Sequence, residues 1–82
     1  MKYRILIEKN AVKFIKKQPA NQQKRILQAI NNLPEKGDIK QLKGYNEYFR
    51  LRVGDYRIIY TVKHDILTVT VTDAGNRGQI YK

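Results

Sequence analysis

Apolar residues recur at strand spacing near both ends of the chain and at helical spacing between them. In the segment Tyr3 to Glu8, Ile5 and Ile7 fall on one side while Arg4, Leu6 and Glu8 fall on the other, the period-two pattern of a strand. From Asn10, a residue type suited to an N-cap, Ala11, Phe14, Ile15 and Gln18 follow at helical spacing as far as Pro19. Pro19 suits the first turn of a second helix, whose stripe Ile26, Leu27, Ile30 and Leu33 runs to the stop signal Leu33-Pro34. Pro34 to Asp38 is turn-like, and Ile39 to Asn46 reads as irregular, with Leu42 as its anchor. Three strand patterns follow, Glu47 to Val53, Tyr56 to Lys63 and Ile66 to Asp73, joined by turns at Gly54-Asp55 and His64-Asp65.

This order, βααβββ, predicts an α+β fold in which residues 1–82 form one domain. Two N-terminal antiparallel helices are expected on one face of a mostly antiparallel four-stranded sheet. Leu67, Val69 and Val71 alternate with Thr68, Thr70 and Thr72. One face of that strand then packs under the helices, and the threonine face stays open as the floor of a site.

Charge changes the picture. Seventeen Lys and Arg against seven Asp and Glu leave a formal net charge of +10, which repels itself and attracts nucleic acid or an acidic protein. Lysines concentrate before Leu42 and arginines after it. Lysine is a flexible, hydrated point charge and arginine a planar fork, so a diffuse lysine surface and a more demanding arginine-lined pocket are expected. The lysines equally suit the solvated faces of two amphipathic helices. The chain contains no cysteine, which removes disulfides and thiolate metal sites and fits a reducing compartment such as the cytoplasm. A lone histidine rules out a multi-histidine metal site. No apolar run approaches the length of a membrane span, and the N-terminus reads as a strand, not as a signal peptide. Neither a metal, a cofactor nor a membrane is expected.

Candidate chemistry centres on Tyr48-Phe49-Arg50-Leu51-Arg52-Val53-Gly54-Asp55-Tyr56-Arg57-Ile58-Ile59-Tyr60. Phe49, Leu51 and Val53 share one face of a strand and Arg50 and Arg52 the other, while Arg57 opposes the parity of Tyr56, Ile58 and Tyr60. Such a hairpin gathers three guanidiniums, and with Arg77 and Tyr81 they make a set able to clamp a phosphate and stabilise charge growing on its oxygens. The same residues also read as surface arginines and a tail tyrosine of a basic domain. His64 reads as a solvated turn residue, and Asp55 and Asp65 as turn residues. Glu47 and Asp73, at strand ends, can pair with an arginine or act as a base. No Gly-rich phosphate loop precedes a helix.

With these residues laid out, the chain resembles the RelE/ParE superfamily of bacterial and archaeal toxin-antitoxin toxins, and more closely its RelE branch. The resemblance spans the whole length. It rests on the element order, on Leu42-Lys43-Gly44 ahead of the Arg50 to Tyr60 block, and on Gly75-Asn76-Arg77 followed by Ile80-Tyr81. It implies an mRNA interferase that enters the ribosomal A site, cuts the message and is held inactive by a cognate antitoxin. Arg50 and Arg52 look like two basic catalytic positions that are often lysine in the family. Arg57 resembles the arginine that holds the phosphate, Arg77 the one proposed to protonate or stabilise the leaving group, and Tyr81 the C-terminal tyrosine that orients the substrate. ParE-like gyrase poisons share the fold without this full set.

The expected reaction is metal-independent attack by the mRNA 2'-hydroxyl on its own phosphate. Lys13, Lys16, Lys17, Lys24, Arg25 and Lys43 are expected to meet ribosomal RNA phosphates. An acidic RelB-like antitoxin, forming a hetero-oligomer with the toxin, is the other implied partner. A gyrase inhibitor on the same fold and a non-catalytic basic RNA-binding module are the alternatives.

Overall fold

The structure, a computed structural model, describes residues 3–44 and 47–76. Strand β1 (Arg4–Ile7) leads without a loop into helix α1 (Lys9–Lys16), and Lys17 to Pro19 connect it to helix α2 (Ala20–Asn31). Four strands follow: β2 (Asp38–Gln41), β3 (Tyr48–Val53), β4 (Tyr56–Lys63) and β5 (Thr68–Asn76). They form one five-stranded sheet in the order β1-β5-β4-β3-β2, antiparallel throughout except for the parallel pair β1 and β5. No described helix is long and apolar enough to cross a membrane.

The expected sheet of four strands is therefore corrected to five. β2 takes Asp38 from the stretch read as turn-like and Ile39–Gln41 from the one read as irregular, and pairs along β3 from Asp38 opposite Arg52 to Gln41 opposite Phe49. It is a short edge strand that buries little besides the side of Ile39, so no alternation marks it in the sequence. The α1 start also differs. Glu8 N donates to Val71 O at 2.9 Å, and Glu8 O accepts from Val12 N at 3.0 Å. One residue thus closes the strand ladder and opens the helix, and Asn10 is not the cap. At the other end of α1, Gln23 Nε2 donates to Gln18 O at 2.8 Å and to Lys16 O at 3.2 Å, satisfying carbonyls the helix leaves open.

Both helices cover the same face of the sheet. Ala11, Ile15, Ile26 and Ile30 join Leu51, Val53, Ile58, Tyr60, Val69 and Val71 in one buried cluster. Tyr56 extends it, meeting Phe14 edge to face at 5.9 Å and donating from its hydroxyl to Gln18 Oε1 at 3.1 Å.

The β4–β5 pairing carries a bulge. Ile59 pairs with Asp73 but Tyr60 pairs with Val71, which leaves Thr72 as an extra residue whose hydroxyl donates to Ile59 O at 3.3 Å. The shift in parity turns Ala74 into the core and brings Asp73 and Gly75 to the opposite face. The turn before β5 runs through Leu67, which adopts φ 48°, so the strand starts at Thr68, two residues later than expected.

A candidate phosphate-binding face

Strand alternation fixes the face away from the helices. Leu51 and Ile58 pair in the core, so Arg52 and Arg57, their sequence neighbours, project from the other side as a directly opposed pair. Arg50 lies two residues before Arg52 on the same face. The register therefore places all three arginines on one face, as the hairpin pattern predicts. Gly75, itself buried, sits opposite Arg57 on β5 and puts no side chain beside it. Ile59, buried although it lies on this face, is the cross-strand partner of Arg50 and offers the arginine stem an apolar bed.

Sequence reasoning missed Asp38. From β2 it places Oδ1 3.5 Å from Arg50 Nη2 and Oδ2 4.0 Å from Arg52 Nε, so two of the three arginines share one carboxylate. Lys40, opposite Arg50, was missed for the same reason. Only recognition of Asp38–Gln41 as a strand would have placed both on the arginine face. Tyr48, two residues before Arg50, is exposed on that face as well.

Other expectations divide. Thr68 is buried with its hydroxyl spent on Ile66 O at 3.0 Å, and Thr72 is held in the bulge. The arginine site is therefore floored by Ile59 and Gly75 more than by threonines. Asp73 does reach the arginine face, but its Oδ1 accepts from Ala74 N at 2.9 Å. His64 is exposed in its turn yet not merely solvated, because its Nδ1 lies 2.7 Å from the Tyr3 hydroxyl. Lys13, Lys16 and Lys24 are exposed on the helices and Lys17 just after α1, on the opposite side of the sheet from the arginines, and Lys43 follows β2 in a turn. Arg25 lies against the β3–β4 turn: a Cβ at Gly54 would come within 2.9 Å of its guanidinium. A cleft of about 460 Å³ between Tyr3, Ile5 of β1 and the end of α2 with the segment that follows it contains none of the predicted site residues. Among the described residues, no three His, Cys, Asp or Glu side chains gather as metal ligands would. Arg77 and Tyr81 lie outside the described residues.

Residues 4–81 match the family described as ParE toxin of type II toxin-antitoxin system, parDE. The chain belongs to the RelE/ParE superfamily of type II toxins. Toxin RelE3 of Methanocaldococcus jannaschii is 41% identical over 85 residues, covering 95% of this chain and 94% of that protein. Among solved structures, the archaeal RelE-RelB complex from Pyrococcus horikoshii OT3 aligns with a TM-score of 0.79 and 30% identity, covering 96% of this chain and 99% of that one. The RelB-RelE antitoxin-toxin complex from Methanococcus jannaschii aligns with a TM-score of 0.75 and 38% identity over 93% and 94% of the two chains. On this RelE-like scaffold the toxin presents Lys40, Arg50, Arg52 and Arg57 on the sheet face that its helices leave uncovered.

Proposed function

We propose that this toxin is a ribosome-dependent mRNA endoribonuclease that cuts the message in the ribosomal A site and so stops translation. The observation that carries the reading is the placement of Arg50, Arg52 and Arg57 together on the open face of a RelE-like sheet. In the reaction the 2'-hydroxyl attacks its adjacent phosphate. The O2'–P bond forms, the P–O5' bond breaks, and a 2',3'-cyclic phosphate and a 5'-hydroxyl result. The attacking oxygen gives up a proton and the departing oxygen takes one. Arginine stays charged at any working pH, so Arg50, Arg52 and Arg57 stabilise the phosphorane-like charge and do not act as bases. Arg77 at the leaving group and Tyr81 at the substrate are carried by the resemblance and belong to the same proposal, as does catalysis without a metal. A site without a strong base of its own needs the ribosome to hold the RNA in line.

The related toxins from P. horikoshii and M. jannaschii are seen with RelB antitoxins, which supports a RelB-like antitoxin for this chain, acidic enough to offset its charge, within the cytoplasm. The ParE description of the matched family favours one second reading, inhibition of DNA gyrase on the same scaffold.

Primer extension on a defined mRNA in programmed ribosomes separates the two. Wild-type protein is expected to cut at the A-site codon only when ribosomes are present. Arg57→Ala and Arg77→Ala, folded by circular dichroism, are each expected to slow cutting by about 10²-fold or more. Absence of cutting by wild type, together with a block of gyrase supercoiling, would replace the first reading with the second.

A further inference from the structure

We propose that Asp38 is a positioning residue that holds the Arg50 and Arg52 guanidiniums side by side before RNA arrives and yields them to the incoming phosphate. The inference rests on the RNA-cleavage reading above and assigns a role to a residue on a strand that sequence patterning does not mark. Register sets Asp38 directly across from Arg52, and each carboxylate oxygen faces a different arginine. A carboxylate and a phosphodiester present the same kind of oxygen pair to a guanidinium fork. The separations of 3.5 and 4.0 Å exceed the roughly 2.7–2.9 Å of a tight charge-assisted hydrogen bond, so exchange for phosphate sacrifices little.

Burial is asymmetric in the way this exchange requires. The Arg50 side chain is 13% exposed and that of Arg52 33%, and the Nε atoms of both are buried without a hydrogen-bond partner. Asp38 meets Arg50 at its Nη2 and Arg52 at its Nε. Asp38 is 56% exposed and can turn into water when displaced. Two effects of opposite sign follow. As a resident anion, Asp38 competes with RNA and weakens ground-state binding. As an orienting group, it fixes the pose in which the arginines meet the transition state.

The test compares wild-type protein with Asp38→Asn, Asp38→Glu and, as a control for net charge, Asp65→Asn in the distant β4–β5 turn. In the free protein, the Arg50 and Arg52 Nε–H signals in NMR relaxation measurements are expected to lose order in Asp38→Asn alone. Binding of inorganic phosphate and of a short RNA with 2'-deoxy sugars is expected to tighten in Asp38→Asn. For the RNA, log K against log salt should be steeper by about 0.7. On programmed ribosomes kcat should fall on the order of tenfold to a hundredfold while KM falls too, with recovery in Asp38→Glu. Unchanged Nε–H order, weaker phosphate and RNA binding, or the same changes in Asp65→Asn would overturn the proposal. If wild-type protein cleaves nothing, the RNA-cleavage reading fails, while the NMR and phosphate measurements still decide whether Asp38 orients and releases the arginines.

Discussion

Tyr60 occupies the centre of the core face, 1% exposed and stacked on Phe49 with ring centroids 5.6 Å apart. Burial pushes its phenol from the ordinary 10.0 up to about 12, because the charged form has lost its water. The folded protein therefore holds this proton more tightly than the unfolded chain. The stabilisation is fully present below pH 10 and is lost as pH rises from there through about 12, at roughly 1.4 kcal/mol per unit. Urea midpoints measured across that window should fall more steeply for wild type than for Tyr60→Phe, a comparison in which the lysines titrate equally in both. Equal slopes would mean that Tyr60 is more hydrated than its packing implies. Tyr60 is thus a packing residue whose phenol holds its proton more tightly than an exposed one. Its role was legible in the sequence, since it shares parity with Tyr56 and Ile58; so was the shared face of Arg50, Arg52 and Arg57, since period-two alternation around a tight turn dictates it.

What the sequence concealed lies at the level of elements. The β3–β4 hairpin announces itself through strong alternation on either side of Gly54-Asp55, whereas β2 has one apolar side chain in four and gains its order by pairing with a strand already formed. Without β2, neither Asp38 nor Lys40 can be assigned to the arginine face. Nor does any residue type mark the Thr72 bulge, which arises from a mismatch in pairing length between two strands. Gly37 shows how tightly β2 is held. It adopts φ +132°, and a Cβ there would stand 2.6 Å from Leu51 Cδ1 in the core. Gly37→Ala is expected to cost on the order of 1–3 kcal/mol in denaturant unfolding and to slow RNA cleavage further by moving Asp38. A variant with unchanged stability would show that β2 adapts without strain.

At the scale of the whole molecule, the sheet separates two cationic surfaces, arginines on its open side and lysines on the helices that cover the other. The chain as a whole carries a formal net charge of +10. If the lysines serve to dock on ribosomal RNA, replacing Lys13, Lys16 and Lys24 by Ala together should lower the slope of log K against log salt for ribosome binding by about 2–3. The cleavage rate at saturating ribosomes should remain that of wild type; a fall in that rate would place the helix face closer to the chemistry than the fold does. The separation of the two sides gives the bulge a wider meaning. Were Thr72 paired in register with Ile59 instead of bulged, the same residues would exchange inside for outside over the end of β5: Asp73 would fall opposite Ile58 and turn toward the apolar core, and Ala74 would replace Gly75 opposite Arg57. In this strand, the number of residues encodes as much as their identities, so roles carried between relatives past this point transfer only when the extra residue is counted.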